Sequence, residues 1–169
     1  MQNKEEEQIV PPLNFKMKNL TEKIYKELLS RNNVLIIGLT DSGKTYYATN
    51  ELVPFLKKKG FNVAFFSDCD HLSNISDETG LAIVDEVETL IDKNFLEQRH
   101  FQDKPYYSPE YLKKVEIWHN KLKLIKIPSV FILTRSEKRE IEYLINNVKE
   151  MDWGAPVKCL AFENYKKTT

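Results

Sequence analysis

The sequence predicts an α/β domain of three layers, with a mostly parallel five-stranded sheet between two layers of helices. Three observations predict it. Short apolar runs rich in Val, Ile, Leu and Phe recur along the 169 residues, unbroken enough to be strands buried on both faces. Segments with apolar residues at helical spacing lie between them. Polar residues able to do chemistry gather where the runs end, which is where open parallel sheets bind ligands.

Residues 1–16 read as a flexible N-terminal tail, with Pro11-Pro12 as a break. One domain is expected over 17–169. Leu20, Ile24 and Leu28 recur every four residues and predict a first helix from Leu20. Asn32-Asn33 then turns the chain into the first strand, Val34 to Ile37. The next helix is expected to bury Ala48, Leu52, Phe55 and Leu56. Lys57, Lys58 and Lys59 suit its negative end, and Gly60 suits the position after it. Pro54 conflicts with that helix, because it lacks an N–H and should kink or break the helix near Val53.

The second strand spans Asn62 to Ser67. Leu81-Ala82-Ile83-Val84 forms the third and runs straight into Asp85-Glu86. A helix from Ser108 to about Leu124 has Ser108 as its cap and Pro109 in first position. Tyr111, Val115, Trp118, Leu122 and Ile125 share one of its faces. The fourth strand is Ser129 to Thr134. A helix with Ile141, Leu144, Ile145 and Val148 inward follows it. Gly154 and Pro156 end that element before the fifth strand, Val157 to Phe162.

Composition narrows the function less than the motifs do. Lys and Arg total 25 and Asp and Glu also 25, so the chain has no net positive field for nucleic acid. Cys69 and Cys159 show no C-x-x-C spacing, and a reduced cytoplasmic protein is expected. No apolar stretch is long enough to cross a membrane, and no membrane association is expected.

The most informative segment is Gly38-Leu39-Thr40-Asp41-Ser42-Gly43-Lys44-Thr45, a G-x-x-x-x-G-K-[ST] phosphate loop between a strand and a helix. Its glycines let the backbone curl so that successive N–H groups face phosphate oxygens. The helix that begins there, through Tyr46, adds the positive end of its dipole. Lys44 is expected at the β- and γ-phosphates and Thr45 at a bound Mg²⁺. Asp85, at the tip of a buried strand, is the second candidate for the metal. Glu86, pointing elsewhere, is the candidate to orient or deprotonate a water. The competing reading is that Asp85 and Glu86 open a solvated helix over 85–91.

The pairing of GLTDSGKT with LAIVDE resembles the additional-strand, catalytic-glutamate class of P-loop ATPases, which includes AAA+, STAND and RecA-like groups. That resemblance implies the P-loop NTPase fold with strand order 5-1-4-3-2, ATP and Mg²⁺ as cofactors, and hydrolysis with Glu86 activating water. It also implies that Thr134 or Arg135, where the class carries sensor 1, reads the γ-phosphate. Arg135 as an exposed loop cation is the alternative. Arg139 reads as solvated. No counterpart of the C-terminal helical lid of AAA+ proteins is expected. A protein partner or self-assembly is therefore expected to complete the site. The gap between the second and third strands leaves little room for a helix.

Two other functions compete with a small lidless ATPase. One is a nucleotide-operated switch or adaptor. The other is a small-molecule kinase using Asp68 or Asp70 at the acceptor, with Arg99 as a lid cation. Asp68-Cys69-Asp70-His71 also holds four residue types that bind metals, but neighbouring extended residues point apart. The aromatic and cationic stretch 99–107 keeps single-stranded nucleic acid as a partner that is not favoured. His119 is expected at the surface or core edge.

Overall fold

The computed structural model describes residues 12–72, 75–100 and 106–163. Residues 1–11 of the expected tail lie outside these. Helix α1 (Pro12–Leu29) begins well before Leu20, so residues 12–16 belong to it rather than to a tail. Strand β1 (Asn33–Leu39) leads through the phosphate loop into α2 (Lys44–Tyr47), a π-helical turn (Ala48–Leu52) and α3 (Val53–Lys58). Strands β2 (Val63–Phe66) and β3 (Leu81–Val84) follow with no helix between them among the described residues. Then come α4 (Lys93–Arg99), α5 (Pro109–Leu122), β4 (Ser129–Arg135), α6 (Lys138–Asn147) and β5 (Val157–Phe162).

All five strands are parallel, in the order β2-β3-β4-β1-β5. Read from the other edge this is the expected 5-1-4-3-2, and the fold is that of the P-loop NTPases. Strand residues alternate between two cores. Val34, Ile36, Val130 and Ile132 face α1 and the α2–α3 rod, meeting Ile24, Leu28, Tyr47, Leu52 and Leu56. Leu35, Ile37, Phe131 and Leu133 face α5 and α6, meeting Leu122, Ile141, Leu144 and Val148. Both faces are covered, which explains the unbroken apolar runs.

Pro54 does not break its helix. The turn before it widens, and Val53 N–H bonds to Ala48 O, five residues back. A π turn is a known way to reroute the hydrogen-bond ladder around such an obstacle. The rod continues, with Leu52 and Leu56 buried and Phe55 half-buried against Tyr25. Ser108 caps α5 as expected, its Oγ accepting from Tyr111 N–H at 3.2 Å. Residues 85–91 form no helix; the chain stays irregular until α4. That removes the solvated-helix reading of Asp85-Glu86.

Candidate functional site

The site is assembled at the carboxyl ends of β1, β3 and β4. Leaving β1, the chain curls at Asp41 (φ 57°) and Gly43 (φ 90°), both left-handed. Ser42 N–H bonds to Leu39 O at 3.2 Å, and Thr40 N–H to Arg135 O at 3.2 Å, which anchors the loop to β4. Gly38 lies under the lysine stem: a Cβ there would stand 2.9 Å from Lys44 Cδ and 3.1 Å from Phe162 Cβ. Close packing, not backbone torsion, is what requires glycine at this position. Lys44 is buried, and its Nζ donates to Leu39 O at 2.5 Å and to Ser42 Oγ at 3.2 Å. Burial pulls its ammonium below the ordinary lysine range, while the charges of Asp85 and Asp41 act the other way.

Thr45 Oγ1 donates to Asp85 Oδ2 at 2.5 Å, so the two expected metal ligands converge. The other Asp85 oxygen accepts from Glu86 N–H at 2.8 Å. Asp85 is buried and Glu86 exposed. Glu86 has a φ of 51°, left-handed, a torsion that costs an ordinary side chain roughly 1–2 kcal/mol. A cavity of about 510 Å³ is lined by residues 40–46, 85–88, Tyr111, Trp118 and Thr134. It brings together most of the expected site. Gly38 and Leu39 lie beneath it and shape it through Lys44. Thr134 is exposed at its edge.

Arg135 stands differently from expectation. It is buried, not an exposed loop cation, and its guanidinium is engaged by carboxylates. Nε and Nη2 bond to Asp92 Oδ2 and Oδ1, both at 2.9 Å, and Nη2 also meets Glu88 Oε1 at 2.9 Å. Burial alone would lower its pKa. The hydrogen bonds with Asp92 and the charges of Glu88 and Asp92 outweigh that and hold it above the ordinary range. The arginine therefore ties the far end of the 85–92 loop to β4. Glu88 Oε2 accepts from Tyr111 OH, and Glu88 O pairs with His119 Nε2, both at 2.9 Å. His119 is buried, further inside than expected. Asp152 holds the same loop through Thr89 Oγ1 at 2.9 Å and Leu90 N–H at 2.8 Å.

Sequence reading missed Glu88, Asp92 and the cavity-facing role of Tyr111 and Trp118. The signal for the last two is present: they lie seven residues apart on one face of α5, and the polar tips of both side chains suit a cavity wall.

The kinase residues fare less well. Asp68 bonds to His71 Nδ1 at 2.7 Å and Asp70 to Trp118 Nε1 at 2.8 Å, and neither lines the cavity. Arg99 pairs with Glu137, the residue that caps α6. Burial pushes the Cys69 thiol up to about 12, which makes it a poor metal ligand. Of the stretch 99–107, residues 101–105 lie outside the described residues. Tyr106 and Tyr107 pack edge-on, and Tyr107 stacks on Tyr111 at 5.8 Å.

No family model and no curated protein matches the chain. Among solved structures it is similar to one of two coordinating Pif1 helicases at forked double-stranded DNA. That match has 14% identity and a TM-score of 0.39, covering 87% of this chain and 43% of that one. It is also similar to the Aeropyrum pernix ORC2 protein in ADPNP and ADP complexes, at 15% identity and a TM-score of 0.39, covering 86% and 46%. The chain spans less than half the length of either. Likeness at this level says nothing about activity; the fold assignment rests on strand order and the phosphate loop. Together these define a domain of P-loop NTPase fold. No helix among the described residues is long and apolar enough to cross a membrane.

Proposed function

We propose that the chain from Pro12 onward acts as one domain that binds ATP with Mg²⁺ and hydrolyses it. The observation carrying this reading is the convergence of Thr45 Oγ1 and Asp85 Oδ2 beside the phosphate loop, with Glu86 next in the chain and open to the same cavity. Two hard oxygen donors at that spacing fit Mg²⁺, held by Thr45 and Asp85. When bound, the ion neutralises charge on the phosphates. The backbone of 38–46 and the Lys44 ammonium bind and orient the triphosphate. Glu86 accepts a proton from water as the water oxygen bonds to the γ-phosphorus. The bond from that phosphorus to the bridging oxygen breaks, giving ADP and phosphate. The left-handed strain at Glu86 supports a functional reading, because such strain persists where function holds it.

Thr134, exposed at the cavity edge, suits a hydrogen bond to the γ-phosphate. Arg135 serves better as a positioning residue, since Asp92 and Glu88 already occupy its donors. With that arginine committed, turnover by the chain alone is expected to be slow. A protein partner or assembly would raise it. The test is Mg²⁺-dependent phosphate release from ATP by the native chain and Glu86→Gln. A fall of about 10²–10⁴-fold in the variant supports the role of Glu86. Equal rates would overturn it.

A further inference from the structure

At the pole opposite the phosphate loop, the amino ends of β1, β4 and β5 frame a second cavity of about 490 Å³. Its size lies in the range of small-molecule sites. Three cations stand on its walls, Arg31, Lys123 and Lys126, and no Asp or Glu does. None of the three has an ion pair among the described residues. In a chain whose charges balance overall, a concave surface with cations alone is a local departure. Apart from Asn33, whose Oδ1 accepts from Ser129 N–H at 3.0 Å, the other side chains of the wall are apolar, among them Leu122, Ile125 and the Trp153 indole.

Trp153 supplies an independent observation. It is 3% exposed, yet its Nε1–H has no hydrogen-bond partner among the described residues. A buried donor without an acceptor is unfavourable and calls for an explanation. The indole forms part of the cavity wall, with that N–H beneath its surface. Trp153 is also adjacent to Asp152, whose carboxylate holds Thr89 and Leu90 of the acid-bearing loop. The wall of this cavity and that loop therefore share one turn of chain.

From these observations we infer that the cavity is a second ligand site, for a small anion carried on a flat apolar body such as an aryl phosphate or carboxylate. Lys123, Lys126 and Arg31 receive the anionic head, and Trp153, Leu122 and Ile125 pack against the body. The site is separate from the phosphate loop and holds whether or not ATP is hydrolysed.

The chain has two tryptophans, and they divide between the two cavities: Trp118 lines the first and Trp153 the second. Trp118→Phe protein therefore reports the second alone. It is titrated by fluorescence with phenyl phosphate, phenol and benzylamine. A saturable response to phenyl phosphate is expected, retained when Lys44→Ala is added. Phenol and benzylamine should bind at least about tenfold more weakly, as should phenyl phosphate to the Lys123→Ala/Lys126→Ala form. No saturable response, equal responses to all three probes, or loss of the response with Lys44→Ala would each overturn the inference.

Discussion

The two loops that form the proposed nucleotide site lie side by side and are held in opposite ways. The phosphate loop is held by backbone hydrogen bonds, Ser42 N–H on Leu39 O within it and Thr40 N–H on Arg135 O of the neighbouring β4, and by a glycine that lets the Lys44 stem lie flat. The 85–92 loop has backbone bonds to the sheet only at its start, Asp85 N–H on Phe66 O at 2.9 Å and Val87 N–H on Ile132 O at 3.0 Å. Side chains from three distant elements hold it instead: Arg135 from β4, Tyr111 and His119 from α5, and Asp152 before β5. A locally encoded loop is suited to one fixed task, cradling phosphate. A loop held by remote ion pairs can respond to whatever moves those elements.

The largest expected effect comes from cutting the remote anchor. Arg135→Ala leaves Asp92 fully buried and Glu88 largely so without their cation, and should destabilise the fold by about 3–5 kcal/mol in urea unfolding. An effect under about 1 kcal/mol would show that the loop does not depend on this pair. Gly38→Ala tests the local anchor. The added methyl meets Lys44 Cδ at 2.9 Å and should cost about 1–3 kcal/mol, with weaker ATP binding because the lysine is displaced. Unchanged ATP affinity would argue that the stem can shift without consequence.

A smaller effect separates the loops more finely. Each carries one left-handed residue that is not glycine, Asp41 in the first and Glu86 in the second. Aspartate tolerates that torsion better than glutamate. Glu86→Gly should therefore raise stability by about 1 kcal/mol, or roughly 2–4 °C in Tm for a domain of this size, while turnover collapses. Asp41→Gly should gain less stability and lose far less activity. Equal losses of turnover would remove the distinction between the two torsions.

The same contrast explains what could be read from the sequence. The phosphate loop was legible because its spacing is local, and Asp85-Glu86 because it ends an apolar run. The strand order followed from the resemblance these motifs support. The role of Arg135 was not legible, since Asp92 and Glu88 lie far away in sequence and only the folded sheet brings them together. Pro54 misled because the π turn that accommodates it leaves no mark in composition. Helix α4 went unseen because it is short and buries only Leu96 fully.

The most direct test places ATP affinity and phosphate release side by side for Lys44→Ala and Glu86→Gln. The account predicts that Lys44→Ala loses binding, whereas Glu86→Gln binds ATP as the native chain does and loses turnover by about 10²–10⁴-fold. If Glu86→Gln lost affinity and turnover in the same proportion, the division of labour between the two loops would be contradicted.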